Sequence, residues 1–288
     1  MKLGVLCSGN LGLKILMQLT QYYSISFVFT DSKSNDIVEY CIKSKLPIFV
    51  GNPRIKSYKD FLFNKTCEIL LSVNYIFLIE EDLIKFPNKY SINIHGSLLP
   101  KYRGRSPHIW AIINNEKKTG ISAHLIDSGC DTGDILEQIE IEICDDDTGA
   151  MLLQKFHENY LPIIKKVIEK IDNNQILCKK QDHSKSTFFG KRTPEDGLID
   201  WNWQKERIFN WVRAQAFPYP GAFTYLEGIK LTIDAISFVD DGYNYSMQNG
   251  TILSFNPLKV KTSNGVILIS SHRESLNHFI NTKKIVFG

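Results

Sequence analysis

Five short runs, Leu3–Cys7, Ser26–Thr30, Pro47–Val50, Glu68–Val73 and Ser91–Ile94, are almost wholly apolar, and helical patterns separate them. A strand with no polar face must be covered on both sides, which a parallel sheet achieves with crossover helices above and below. Helical spacing over Leu11–Leu19, Asp36–Lys45, the stretch around Tyr58–Asn64 and a turn near Glu80–Lys85 supplies those covers. The pattern predicts a doubly wound α/β domain with a mostly parallel, Rossmann-like sheet. Ligands of such sheets lie beyond the carboxyl ends of the strands. Ser8–Gly12, Asn74-Tyr75 and His95-Gly96-Ser97 occupy such ends.

Further on, Ile121–Ile126 and Asp134–Ile143 alternate as strands, joined by a loop that contains Asp131. Thr148–Ile171 carries the longest helical pattern, with an apolar stripe from Leu152 and Leu153 through Phe156, Tyr160, Ile163 and Ile164 to Val167. Pro162 predicts a kink or break there. From Gln181 to Pro194 the composition turns polar and basic, as in a linker. Short strand-like runs follow at Ala222–Leu226, Lys230–Ile233, Ser237–Val239, Thr251–Leu253, Lys259–Thr262 and Val266–Ser270. With Gly and Asn at the turns they predict a small, OB-like β-barrel. The expected division is a catalytic domain over residues 1–182, a linker over 183–203 and the barrel over 204–288.

Two function classes are disfavoured at this level. A formal charge of +3 over 288 residues, with no dense basic cluster, argues against nucleic acid as partner. No apolar stretch approaches the ~20 residues of a membrane span, and nothing reads as a secretory leader. Six single cysteines without a C-x-x-C pair suggest buried thiols in a reducing, cytoplasmic setting.

The chemistry concentrates at Ile92–Pro100, read as Ile-Asn-Ile-His-Gly-Ser-Leu-Leu-Pro, followed by Lys101-Tyr102-Arg103-Gly104-Arg105-Ser106-Pro107. Strand residues two apart share a face, so Asn93 and His95 aim at one point before a Gly-Ser turn. Asp131, in Asp-Thr-Gly-Asp, could complete the group. An amide for a developing oxyanion, an imidazole for proton traffic and a carboxylate to orient it suit acyl transfer to an amine. Lys101, Arg103 and Arg105 form either a solvated turn or a grip on phosphates. The turn Ser8-Gly-Asn-Leu-Gly12 lacks the full dinucleotide fingerprint, which weakens a dehydrogenase reading. His108, His124, His157, His183, His272 and His278 show no metal-ligand spacing and read as structural or surface residues, so no metal is expected.

Asn93-x-His95-Gly-Ser-Leu-Leu-Pro-Lys-Tyr-Arg-Gly-Arg-Ser-Pro, Trp110-Ala-Ile, Gly120 and Asp131-Thr-Gly-Asp-Ile135 together resemble the signature of the 10-formyltetrahydrofolate-dependent formyltransferases. Phe188–Trp201, Asn210–Ala214 and Pro218–Phe223 resemble the linker and C-terminal barrel shared by methionyl-tRNA formyltransferases and some sugar N-formyltransferases. The resemblance implies a catalytic triad of Asn93, His95 and Asp131 and 10-formyltetrahydrofolate as co-substrate. It implies a folate wall from Ser72, Val73, Asn74, Tyr75 and Leu78, with Asp127 and Asp134 on the opposite wall.

The acceptor is the open choice. Asp31–Asp36 runs straight into a helix, without the basic insertion that grips an acceptor stem in methionyl-tRNA formyltransferases. Asn93–Pro107 is especially similar to the formyltransferase domain acting on UDP-4-amino-4-deoxy-arabinose. The expectation is therefore a sugar N-formyltransferase acting on a UDP- or dTDP-linked amino sugar, for cell-surface polysaccharide, lipopolysaccharide or glycoconjugate synthesis. Methionyl-tRNA formyltransferase is the alternative, and a non-catalytic nucleotide- or RNA-binding protein is the alternative of another class. Ser8, Asn10, Lys101, Tyr102, Arg103 and Arg105 are the candidates for diphosphate and sugar, with Arg213 and Tyr219 for the nucleotide. Exposed apolar residues of the barrel could support a homodimer.

Overall fold

The computed structural model describes residues 1–275 and 286–288; His278 lies outside them. Among the described residues, seven strands form one sheet: β1 (Lys2–Cys7), β2 (Ser24–Thr30), β3 (Ile48–Val50), β4 (Ile69–Val73), β5 (Tyr90–His95), β6 (Lys118–Leu125) and β7 (Ile135–Glu142). Their spatial order is β3-β2-β1-β4-β5-β6-β7. The pairs from β3 to β5 are parallel, and β6 joins β5 antiparallel. The mostly parallel, Rossmann-like sheet is therefore present. All five residues of β4 are buried, as a strand covered on both faces requires.

The chain winds outward from β1 to β3 and then resumes on the other side at β4, so β1 and β4 flank the topological switch point. Asn74 ties the two carboxyl ends together by donating from Nδ2 to the Ser8 carbonyl at 2.9 Å. Helix α1 (Gly9–Leu19) leaves β1 there and buries Leu11, Ile15, Leu16 and Leu19, an i, i+4 stripe. Helix α2 (Asn35–Lys43) follows β2 after only four residues. One cluster of core side chains is aromatic. Phe27, Phe29, Phe49 and Tyr58 lie within it, and Phe29 meets Phe49 at 4.8 Å and Tyr58 at 5.7 Å between ring centres. Such pairs add about 0.5–1.5 kcal/mol each beyond the area they bury.

Gly149–Asp172 is a single helix, unbroken at Pro162. Phe156, Tyr160, Ile163, Ile164 and Val167 are all buried, so the apolar stripe continues across the proline and holds the helix where its backbone lacks a donor.

Among the described residues a second sheet holds five antiparallel strands in the order β8 (Ala222–Leu226), β9 (Ile229–Val239), β12 (Gly265–His272), β11 (Leu258–Thr262), β10 (Ile252–Phe255). It forms the small barrel domain. Lys230–Ile233 and Ser237–Val239, expected as separate strands, are one strand, and its register against β12 shifts on either side of Ala235. A bulge turns a strand without ending it. Beside this one, the Asp234 carboxylate accepts from Arg273 Nε at 2.8 Å and from Phe217 N–H at 2.9 Å.

The chain groups into two compact units. One comprises residues 1–104, 120–141 and 155–188; the other comprises 105–119, 142–154 and 189–288. All six cysteines are free, but only Cys7, Cys41 and Cys67 are buried. Cys130, Cys144 and Cys178 are exposed because they lie in loops rather than in the apolar elements. Among the described residues no helix is long and apolar enough to cross a membrane.

Candidate active site

The antiparallel pairing of β5 with β6 builds the floor of the site by setting Asn93 opposite His124 and His95 opposite Ser122. Ser122 Oγ donates to the Ser97 carbonyl at 2.6 Å and accepts from Leu99 N–H at 3.1 Å. Ser97 Oγ donates to the Lys101 carbonyl at 2.6 Å. The Gly-Ser-Leu-Leu-Pro turn is thus fixed by its own hydroxyl and that of Ser122 on the neighbouring strand.

His95 is buried, with Nε2 at 2.8 Å from the Tyr102 carbonyl oxygen. A carbonyl only accepts, so Nε2 carries a proton and, in the neutral ring, Nδ1 carries the lone pair. Nδ1 stands 3.5 Å from Asp131 Oδ2. That same oxygen accepts from Gly104 N–H at 2.9 Å, while Oδ1 lies 3.4 Å from Asn93 Nδ2. The structure therefore brings Asn93, His95 and Asp131 together. Asp131 reaches this position with a left-handed backbone, φ 55°. Two residues on, Gly133 is obligatory, since a Cβ there would collide with the Leu125 carbonyl.

His124 was read from sequence as structural, yet it belongs to this group. Its Nδ1–H donates to the Leu125 carbonyl at 2.7 Å, which leaves Nε2 as an acceptor for Asn93 Nδ2 at 3.1 Å. Nε2 is also 3.5 Å from Asp131 Oδ1. The alternation of Ile121–Ile126 marks it as strand, but which residue faces Asn93 depends on register, and register is not local information.

Burial pushes the His95 pKa below the ordinary imidazole value, and the pull of Asp131 in the other direction only partly offsets it. The carboxylate alone would shift it upward; desolvation outweighs that pull. For Asp131, burial would raise the pKa, but the charge His95 takes on when protonated and the hydrogen bond from Gly104 N–H hold the carboxyl well below the usual range. At neutral pH the site presents a neutral imidazole beside an ionised carboxylate.

The residues expected on the folate walls divide. Ser72 and Val73 are buried in β4, whereas Asn74 and Leu78 are exposed just beyond its carboxyl end. The Tyr75 hydroxyl is buried without a hydrogen-bond partner. Asp127 turns into its own loop, where Oδ1 accepts from Thr132 Oγ1 at 2.6 Å and from Gly129 N–H at 3.0 Å. Asp134 contributes its carbonyl to Leu125 N–H at 2.9 Å.

For the substrate candidates the structure differs more from expectation. Asn10 and Lys101 are exposed. The Ser8 hydroxyl is buried and unpartnered. Tyr102 is buried and acts through its backbone, donating N–H to Thr187 Oγ1 at 2.8 Å and accepting from His95. Arg103 was expected on phosphates, but it is buried and its guanidinium donates to Gln181 Oε1 at 2.6 and 3.2 Å and to His183 Nδ1 at 3.1 Å. Arg105, Arg213 and Tyr219 belong to the second compact unit. Within it Arg105 is exposed. Arg213 is buried and donates to the carbonyls of Asp147 at 2.7 Å and Cys144 at 3.1 Å. Tyr219 pairs with His108 Nε2 at 3.0 Å. In Arg103 and Arg213 the buried cation is hydrogen-bonded by neutral acceptors of the protein itself.

Residues 27–168 match the family described as formyl transferase, and residues 191–285 match the formyl transferase C-terminal domain. The bifunctional polymyxin resistance protein ArnA of Wigglesworthia glossinidia brevipalpis is 35% identical over 287 residues, 98% of this chain. The chain spans 43% of that relative's length. Among solved structures, the N-formyltransferase from Helicobacter canadensis in complex with folinic acid and dTDP-3-aminofucose superposes with a TM-score of 0.70 at 22% identity, covering 95% of this chain and 100% of that one. The sugar 3N-formyl transferase WlaRD, solved in the presence of dTDP and 5-N-formyl-THF, gives 0.67 at 21% identity, covering 96% and 99%. These two likenesses establish the shared fold.

Proposed function

The chain belongs to the formyltransferase family, and on that premise we propose that it moves a formyl group from 10-formyltetrahydrofolate to the amine of a nucleotide-linked amino sugar. The observation that carries this reading is the convergence of Asn93, His95 and Asp131 within 3.5 Å. The solved relatives that bind folinic acid or 5-N-formyl-THF together with dTDP or a dTDP-amino sugar support it. So does the connection between β2 and α2, residues 31–34, which is too short for a basic loop that would grip an RNA stem. Asp31 in that connection is tied down, accepting from Ser34 Oγ at 2.6 Å and from Lys33 N–H at 2.8 Å. Residues 1–182 would then carry the chemistry, with 183–203 as linker and 204–288 as the OB-like barrel.

The mechanism follows from the tautomer. With Nε2–H committed to Tyr102, the basic atom of His95 is Nδ1, so His95 acts as base. The acceptor amine attacks the formyl carbon, its N–C bond forms and the carbonyl electrons move to oxygen. The amine proton passes to Nδ1, directly or through water, and the resulting imidazolium faces Asp131. Asn93 Nδ2–H, only loosely held by Asp131 at 3.4 Å, turns to the oxyanion. A single donor of this kind is worth about 2.7–4 kcal/mol. On collapse the bond to folate N10 breaks and Nδ1 returns the proton to that nitrogen. The products are tetrahydrofolate and the N-formyl sugar.

The exposed Asn74, Ile76 and Leu78 beyond β4 would meet the folate. Ser8, Asn10 and Lys101 are the remaining contacts for sugar and diphosphate in that unit. The test is formylation of dTDP-, UDP- and GDP-linked amino sugars alongside methionyl-tRNA, with His95→Ala as control. Turnover of a nucleotide sugar that the control abolishes is the expected result. Exclusive formylation of the tRNA would replace the acceptor, and no folate-dependent turnover at all would favour a binding protein on the same frame.

A further inference from the structure

We infer that Gln181, held by Arg103, is a positioning residue that fixes the backbone of the Asp131 loop. Gln181 lies where the chain turns polar, and its sequence context suggested a linker. Instead it is buried. The segment that delivers it is anchored beside β7, because Lys179 and Ile135 exchange both backbone hydrogen bonds at 2.8 Å.

Every polar valence of the Gln181 amide is used. Nε2 donates to the Asp131 carbonyl at 2.9 Å and to the Gly133 carbonyl at 2.7 Å. Oε1 accepts from Arg103 Nη2 at 2.6 Å and Nε at 3.2 Å. Arginine has only donors and carbonyls only accept, so chemistry alone sets the orientation of this amide.

The contacts close a ring. Arg103 orients Gln181, Gln181 grips the loop backbone on both sides of Thr132, and Gly104, the residue after Arg103, donates N–H to the Asp131 carboxylate. The side chain of Asp131 is thereby held from one direction and its backbone from another. The grip falls on a left-handed backbone, φ 55°, a conformation that Asp adopts more readily than most non-glycine residues but still at a cost. Arg103 acts in this ring rather than on a phosphate.

The inference rests on Asp131 being the carboxylate of the proposed reaction, and the experiment separates the two. Gln181→Glu keeps shape and the contact with Arg103 but loses both donors to the loop. Arg103→Lys keeps the charge but loses the two-pronged grip. Formyl transfer from 10-formyltetrahydrofolate to dTDP- and UDP-linked amino sugars is measured in each variant, with thermal melting to establish that it is folded. The expected result is kcat lowered about 10²-fold in both, the effect of a displacement near 1 Å, with KM for the formyl donor within about twofold, since the interaction lost is one needed only in the transition state. In an Asp131→Asn background, Gln181→Glu should lower the residual rate no further. Folded variants with normal kcat, a loss confined to KM, or a full loss repeated in the Asp131→Asn background would each overturn the inference. Normal turnover in Asp131→Asn itself would remove the catalytic reading of Asp131 and the role of Gln181 with it.

Discussion

Replacing Asp131 by Asn tests how the site divides its work. Asparagine has the same shape, and its Oδ1 can still accept from Gly104 N–H, as Asp131 Oδ2 does at 2.9 Å. What disappears is the charge opposite Nδ1 of His95, 3.5 Å away. At that separation and an effective dielectric of 20, the attraction between a carboxylate and an imidazolium is about 5 kcal/mol. The imidazolium exists only after the amine proton has moved, so nearly all of that energy falls on the transition state and little on substrate binding. The expected loss in kcat is therefore about 10³-fold, since each 1.4 kcal/mol is a factor of ten. The sign of the pH effect follows as well. Asp131 is the main group pulling the His95 pKa upward against burial. Without its charge that pKa falls further, and the acid limb of kcat/KM should move to lower pH. Product formation by mass spectrometry from pH 5 to 9, with substrate saturation curves at each pH, measures both. A loss below tenfold, a change confined to KM, or an acid limb displaced upward would refute the reasoning.

His124→Leu removes the acceptor that orients Asn93 and the donor to the Leu125 carbonyl; kcat should fall at least tenfold, and the stranded carbonyl should lower stability by about 1–3 kcal/mol in denaturant melts. His157 lies in the long helix with both ring nitrogens buried and unpartnered, and burial lowers its pKa. The unfolded chain therefore binds this proton more readily than the folded one, so stability should decline as pH falls through about 6.5 and recover above it. His157→Leu should abolish that component and add about 1 kcal/mol at neutral pH, read from paired melts at pH 5.5 and 7.5.

The sheet was legible because its signal is local: strands apolar on both faces admit few arrangements other than a covered parallel sheet. Asn93 and His95 were legible for the same reason, since a spacing of two fixes a shared face. His124 was not, because its place opposite Asn93 is a matter of register between strands some 30 positions apart. Arg103 misled in another way. As a cation between Lys101 and Arg105 it looks like part of a solvated basic turn, and only burial against Gln181 reveals its use. Gln181 gave no signal, for a polar residue in a polar stretch carries no mark of the carbonyls it will meet. Pro162 and the bulge beside Asp234 show tertiary packing overriding local rules.

Transplanting this chemistry to another scaffold would require more than three side chains at the right separations. Tyr102 and Gly104 offer backbone groups of opposite polarity to the two partners, a carbonyl to the ring and an amide to the carboxylate. A single residue inserted between them would deprive the base of its tautomer and the acid of its anchor at one stroke. Designers copying the arrangement should therefore treat that tripeptide turn as the unit to be grafted and import the three side chains with it.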